Sequence, residues 1–331
     1  MGENISNTSK SKKPFNLLSW LKSGKGQRAT IIILFMAVPL FLLLTFTYVP
    51  FAKMVQFSFY KMKYTGPRTF VGLDNYVDVF KRDDCFRALW LSLYYMGGAF
   101  LQLALALYFA TLLSFKVKGG NFFKGAMFFP YLVCGIAVGF IFKFFYTRGF
   151  VLDTVLSWLG FNLENLPYWL KDTKINNFSL AASSIWRYMG QSMVLFIGAI
   201  MSVDSELYEA SSLDGANKWH QFKFIILPSI KTIVVLNLIL SITGALSAFE
   251  PPYVITNGTL GTATYFWVMN KVAHTNQKVG LASAMAIVLL AIIFIATMIQ
   301  KFVMLKVLND DNDSVSKKTH RKLAKRNGGV A

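Results

Sequence analysis

The 331-residue chain is 54% hydrophobic, contains 31 Phe and has a mean hydropathy of +0.46, which exceeds what a soluble domain of this length carries and excludes one. Its net charge of +18 raises nucleic acid as a partner. The basic residues instead gather in tails beside apolar segments, as at Lys317-Lys318, Arg321-Lys322 and Lys325-Arg326, so anionic membrane lipid is the expected partner and nucleic acid is not.

Residues 1–28 form a basic polar tail, in which Met1-Gly2 with Ser6 matches a myristoylation pattern no better than chance would. The first apolar segment, residues 29–52, starts too late and runs too long for a cleaved leader, so it is expected to stay as a span. Further apolar runs of about 20 residues, the length that crosses a hydrocarbon core about 30 Å thick, occupy residues 88–115, 122–146, 179–203, 229–249 and 281–302. These runs are continuous rather than alternating, which favours helices over a closed barrel. The expected fold is all-α: a polytopic membrane protein of six helices over residues 29–304. Residues 305–331 form a second charged tail, with Asp310, Asp311 and Asp313 ahead of its basic cluster, and both tails are expected to be mobile.

Little supports an enzyme. No phosphate-cradling G-x-x-x-x-G-K-[ST] loop exists; Gly24-Lys25 lies in the polar tail without a preceding strand or the second glycine. His220, His274 and His320 stand in separate loops with no paired ligand at helical spacing, so no metal site is expected. Cys85, in the loop after the first span, and Cys134, within the third, are expected to lie too far apart to bridge. The sequon Asn257-Gly258-Thr259 carries no weight, and no inverted repeat of the secondary-transporter kind is evident.

Lys and Arg are denser in the set of segments comprising the N-terminal tail, residues 116–124, the loop around Glu209 and the C-terminal tail than in residues 53–87, 147–178 and 250–279. That bias places both termini and the Glu209 loop in the cytoplasm, although Lys53, Lys61, Lys63, Arg68, Lys81, Arg82 and Arg87 weaken it. Charges inside spans are costly and mark function. Lys143, near the end of the third span, can snorkel. Arg187 lies deeper in the fourth, with Ser183 and Gln191 four residues to either side, a polar stripe that suits either a cavity wall or structural pairing with Glu250 or another chain. Trp20, Trp90, Trp158 and Trp169 suit interfacial belts, whereas Tyr131, Trp186, Tyr188 and Tyr253 fall nearer the presumed pathway. The run Glu250-Pro251-Pro252 is expected to end the fifth helix abruptly and shape an outer gate. Gly135 and Gly139, a small-residue pair in the third span, are a weak packing signal.

Between the fourth and fifth spans, residues 204–228 form a polar loop longer than a bare connection needs. Leu207, Ala210 and Ser211 fall on one helical face before Gly215, and Trp219, Phe222 and Ile226 repeat that spacing after it. Two short helices turning at Gly215 are expected, with Asp214 capping the second and Pro228 opening the fifth span. Read from the residues alone, this is either a compact knob or an amphipathic helix on the headgroups.

The order of residues here resembles a known family. Permease subunits of ATP-binding-cassette importers carry a loop written E-A-A, three residues, G, nine residues, I, one residue, L-P, and this chain supplies Glu209-Ala210-Ser211, Gly215, Ile225 and Leu227-Pro228 at those spacings. The one departure is Ser211 for the second alanine. Asp214-Gly215-Ala216, Trp186, Gly190, Met193-Val194-Leu195, Glu206-Leu207-Tyr208, residues 249–256 and residues 280–284 look like the carbohydrate-uptake branch, and the likeness spans about residues 87–303.

The resemblance implies a type I ABC importer permease fold in a bacterial plasma (inner) membrane. It implies a coupling loop, residues 204–228, that seats in a separate ATPase subunit and is built on Glu209, Ala210, Ser211, Asp214, Gly215, Ala216, Trp219, Phe222, Leu227 and Pro228, with Glu209 and Asp214 making polar contacts, Gly215 holding the turn and Trp219 with Phe222 anchoring the second helix. No cofactor is expected on this chain, ATP and Mg being used by the partner. The implied partners are a second, unlike permease, two ATPase subunits, an extracellular or periplasmic solute-binding protein and a sugar, with Arg187, Tyr188, Gln191, Glu250 and Tyr253 on its path. A secondary transporter or channel working without an ATPase is the alternative.

Overall fold

A computed structural model describes residues 23–115 and 117–327, and of residues 305–327 the helical backbone alone. Met1-Gly2 with Ser6, Trp20, most of the N-terminal tail and the end of the C-terminal tail lie outside the described residues. The chain divides into two compact units, Met1–Phe57 and Ser58–Ala331.

The described part of the first unit is a long apolar helix. It starts earlier and ends later than the sequence suggests: α1 (Gly24–Leu43) passes through a π turn, Leu44–Tyr48, into α2 (Val49–Ser58). Pro50 lacks the N–H that would bond to the carbonyl four residues back, and the wider π turn falls where that proline would crowd the helix. Its Ile, Leu and Phe side chains are exposed, as suits a helix apolar on all sides.

The second unit opens with a two-stranded hairpin, β1 (Tyr60–Lys61) paired antiparallel with β2 (Thr69–Phe70), followed by α3 (Asp74–Lys81). Asn75 ties hairpin and helix together, its Nδ2 donating to the carbonyls of Ser58 at 2.8 Å and Tyr60 at 3.1 Å. The core is built on α4 (Asp83–Ser114), α8 (Asn176–Met201) and α12 (Lys231–Leu246). Ala106 and Ala110 on α4 are fully buried and let α8 approach, so that Met193, Phe196 and Ile200 pack against them, with Leu238 and Ile242 of α12 completing the cluster.

Several sequence expectations change here. Residues 122–146 are not one straight span: α5 (Gly120–Leu132) and α6 (Gly135–Tyr146) meet at a bend of 100°. Val133 and Cys134 adopt extended backbone after Pro130, and the chain restarts as helix on Gly135. Among the described residues, three helices are long and apolar enough to cross a membrane, or up to five counting each bent pair as one span. The second bent pair is Lys218–Ser229 with Lys231–Leu246. The fourth expected span, α8, is a single 26-residue helix, but Asn176, Asn177, Ser179, Ser183 and Ser192 dilute its hydropathy because they are buried within the bundle rather than facing lipid.

The fifth span ends at Leu246, before Glu250. Glu250-Pro251-Pro252 does not terminate a helix; it starts a short one, residues 250–256, where the prolines' missing N–H groups are no loss. Cys85 sits in the first turn of α4, buried, and Cys134 at the bend, exposed; both are free. Trp169 is not a simple belt residue, since its Nε1 donates to the buried Asp153 at 2.8 Å, bracing α7 (Val151–Trp158) in the following loop; Trp90 and Trp158 are exposed. After α13 (Tyr265–Asn270), the last helix, α14 (Val279–Asn327), carries its backbone on through the charged segment expected to be a mobile tail.

Candidate functional site

The loop between α8 and α12 folds as a compact knob. In α9 (Ser205–Leu213) the Asp204 side chain accepts from the Glu206 N–H at 3.0 Å, satisfying a free N-terminal donor. The helix closes on Gly215, at φ +79°, with its N–H donating to the Ser212 carbonyl at 3.1 Å and the Ala216 N–H to the Ser211 carbonyl at 2.9 Å. A residue with a Cβ would be strained there. Asp214 does not cap the second helix; it is the C-cap residue of the first. Asn217 takes that role, accepting from the His220 N–H at 2.9 Å to start α10 (Lys218–Gln221).

The residue that holds the two helices together is Gln221, which sequence reasoning missed. It is 1% exposed, and its Nε2 donates to Ser211 Oγ at 3.0 Å, Ser212 Oγ at 2.9 Å and the Tyr208 carbonyl at 3.3 Å. The clue in the sequence is a lone amide amid Trp219, Phe222 and Phe224. Lys218 donates to Gln221 Oε1 at 3.2 Å and lies 4.1 Å from the centre of the Phe115 ring at the end of α4. Burial pushes the Tyr208 hydroxyl above its ordinary value.

Below, the chain runs through a π turn, Phe222–Ile226, and α11 (Leu227–Ser229), with Pro228 in that first turn. Ile226 and Ile230 are buried in the core shared by α4, α8 and α12. Above, the knob exposes an apolar face: Leu213 is 90% and Trp219 66% exposed, with Leu207 and Phe224 also exposed. Trp219 stacks on Phe222 at 5.6 Å, and Glu209 and Ala210 are exposed beside them.

A second site lies further along the same helices. A cavity of about 380 Å³ is lined by α4, α6, α8, α12 and the turn at Glu250. Ser183, Arg187, Tyr188 and Gln191 line it from α8, facing Gln102 and Asn237 on α4 and α12. Arg187 does both things the sequence left open: it lines the cavity and pairs with Glu250, Nη1 to Oε1 3.5 Å, while Nη1 also donates to Tyr188 Oη at 3.1 Å. Gly135 makes room for this group, since a Cβ there would lie 2.5 Å from Arg187 Nη1, and Gly139 admits Val254 in the same way. The glycine pair is thus a stronger feature than its spacing suggests.

Tyr253 does not line the cavity; it is stacked on Phe249 at 4.8 Å, turned away by the helical restart at Glu250. Lys143 is exposed in the last turn of α6, and Tyr131 rests 6.3 Å from the Tyr188 ring. Gln102, Ser192 and Asn237 were not singled out from sequence, although each is a polar residue inside an apolar span; Gln102 Nε2 donates to Ser192 Oγ at 3.1 Å.

Residues 102–308 match the family described as binding-protein-dependent transport system inner membrane component. The chain is 32% identical over 283 residues to the probable ABC transporter permease protein YurN of Bacillus subtilis, covering 83% of this chain and 96% of that one. It is also 32% identical to the arabinooligosaccharides transport system permease protein AraP of the same organism, over 71% of this chain and 76% of AraP. Among solved structures, it superposes with a TM-score of 0.73 on a chain of a bacterial alginate ABC transporter in complex with an alginate pentasaccharide-bound periplasmic protein, at 20% identity over 85% of this chain and 96% of that one.

Proposed function

The chain belongs to the binding-protein-dependent transport system inner membrane component family, and we propose that it forms half of the transmembrane pathway of an ATP-driven importer for a sugar or oligosaccharide. The observation that carries this reading is the knob: a self-braced pair of helices presenting Leu213 and Trp219 to solvent on a stem rooted in the core. Apolar residues so exposed on a rigid support suit a docking surface. Their partner is a cytoplasmic ATPase subunit, against which Glu209, Ala210, Ser211, Asp214, Ala216, Phe222, Leu227 and Pro228 form or support the contact around the turn at Gly215. ATP and Mg belong to that partner; this chain is a non-catalytic subunit.

The same helices join knob and cavity, which gives the coupling a mechanical route. Ile226 and Ile230 are packed against α4 and α8, and further along these helices Gln102 and Arg187 form the cavity wall. Close-packed cores transmit displacement rather than absorb it, so a push on the knob tilts the walls of the cavity. A second, unlike permease supplies the other half of the pathway. A second ATPase docks on it, and a solute-binding protein delivers the sugar from outside. Residues 87–303 form the importer core, residues 204–228 its coupling loop, and both termini face the cytoplasm on the charge bias of the loops. Purification in mild detergent should bring an ATPase and a second permease with this chain; a solitary homo-oligomer would overturn the proposal.

A further inference from the structure

We infer that Glu250 sets the charge specificity of the cavity: it neutralises Arg187, reserves the site for uncharged polyhydroxyl ligands and keeps out saccharides that carry a carboxylate. The inference rests on the cavity being part of the transport pathway. Arg187 and Glu250 are the charged groups among its lining residues, and the remaining polar groups are hydroxyls and amides such as Tyr95, Gln102, Gln191 and Asn237. Tyr95 is 4% exposed, and its buried hydroxyl has no hydrogen-bond partner among the described residues.

The guanidinium is permanently charged and its side chain is 16% exposed. Its contact with Glu250 is a single 3.5 Å approach rather than a two-pronged fork, its Nη1 also donates to Tyr188 Oη at 3.1 Å, and its Nε is buried without an acceptor among the described residues. A second positive feature converges on it. The 12-residue helix α6 starts at Gly135, and a Cβ on that residue would sit 2.5 Å from Arg187 Nη1 and 2.9 Å from Glu250 Oε1. The first N–H groups of a helix lack partners within it, and its dipole favours an anion there. A guanidinium beside a helix N-terminus favours an anion, and Glu250 is the anionic side chain that approaches this pair.

The backbone of Glu250 is anchored beside the cavity, and its side chain, 40% exposed, reaches Arg187 from there. Glu250 begins the short helical turn in which Pro252 and Ile255 are buried, and the next turn of α6 receives Val254 at Gly139. An incoming carboxylate would meet a like charge in a site partly shielded from water, where repulsion is stronger than in bulk. A neutral sugar meets no such cost.

The test is equilibrium dialysis of the purified permease–ATPase complex in lipid nanodiscs against labelled maltotriose and, separately, trigalacturonate. Wild type should prefer the neutral trisaccharide by about tenfold or more, Glu250→Gln should reverse that preference by admitting the uronate, and the Arg187→Gln/Glu250→Gln double variant should restore it. Should Glu250→Gln fail to fold, Arg187→Gln alone remains decisive, because it leaves Glu250 unopposed and should bind the uronate more weakly still than wild type does. A wild type that prefers the uronate, or a Glu250→Gln protein with an unchanged ratio, would overturn the inference. So would a wild type that binds neither sugar while ATPase subunits stay attached, and that result would leave the proposed function standing. Failure of the ATPase to associate at all would strike the proposed function instead.

Discussion

Replacing Gln221 with leucine keeps volume in the knob but removes the amide that braces it. The amide has two protons, shared among Ser212 Oγ at 2.9 Å, Ser211 Oγ at 3.0 Å and the Tyr208 carbonyl at 3.3 Å. A buried hydrogen bond contributes about 0.5–1.5 kcal/mol net, so losing two costs about 2 kcal/mol. At about 1.4 kcal/mol per factor of ten, the open form of the knob becomes roughly 30-fold more populated. The N–H groups of Gly215 and Ala216 close the turn on Ser212 and Ser211, and their hydrogen exchange reports that opening directly. Exchange across residues 205–217 should accelerate roughly 30-fold in the Gln221→Leu protein, while α8 and α12 keep their protection. Unchanged exchange at the turn would refute the assignment of Gln221 as the brace.

Other expectations follow from the same contacts. Gly215→Val forces a β-branched residue to φ +79°, at a cost of about 1–2 kcal/mol or more, and Glu209→Lys inverts a charge on the exposed face; both should abolish ATP-dependent uptake with the protein still in the membrane, and normal uptake by either would count against the docking surface. Gly139→Ala would bring a Cβ within 2.6 Å of Val254 Cβ; overpacking of about 1–3 kcal/mol should lower the unfolding midpoint in detergent, and an unshifted midpoint would contradict the packing described. Tyr208 is held above its ordinary value of 10.0 by burial, so the unfolded knob loses its proton first: stability is full below about pH 10 and falls as pH rises beyond it. Turn protection measured against pH should show that decline, and Tyr208→Phe should remove it.

Much of the architecture could be read from the sequence because burial in lipid demands long apolar runs, and the knob because its turn needs glycine at a fixed place. The misses share a physical cause. The bend at Val133-Cys134 is two residues of extended backbone within a continuous apolar run, and Gly135 beyond it lies close against Arg187 and Glu250, a tertiary contact that residue periodicity does not record. Asp214 and Asn217 are both good caps by type, and only the path of the chain after Gly215 decides between them. Proline marks a helix boundary without saying which side of it the helix lies on, which is why residues 250–252 open a turn instead of ending one. Gln102 and Gln221 were each visible as polar residues in apolar surroundings, but their partners come from other helices and could not be named, whereas Asn237 bonds back to the Ile233 carbonyl of its own helix.

The most direct measurement places a single cysteine at Leu213, the most exposed large apolar residue of the knob, in a protein whose Cys85 and Cys134 are replaced by serine. A membrane-impermeant maleimide should label it in inverted vesicles and not in intact cells, and bound ATPase subunits should block the labelling. Modification in intact cells, or in inverted vesicles at the same rate with the ATPase bound, would contradict the coupling of this knob to a cytoplasmic motor.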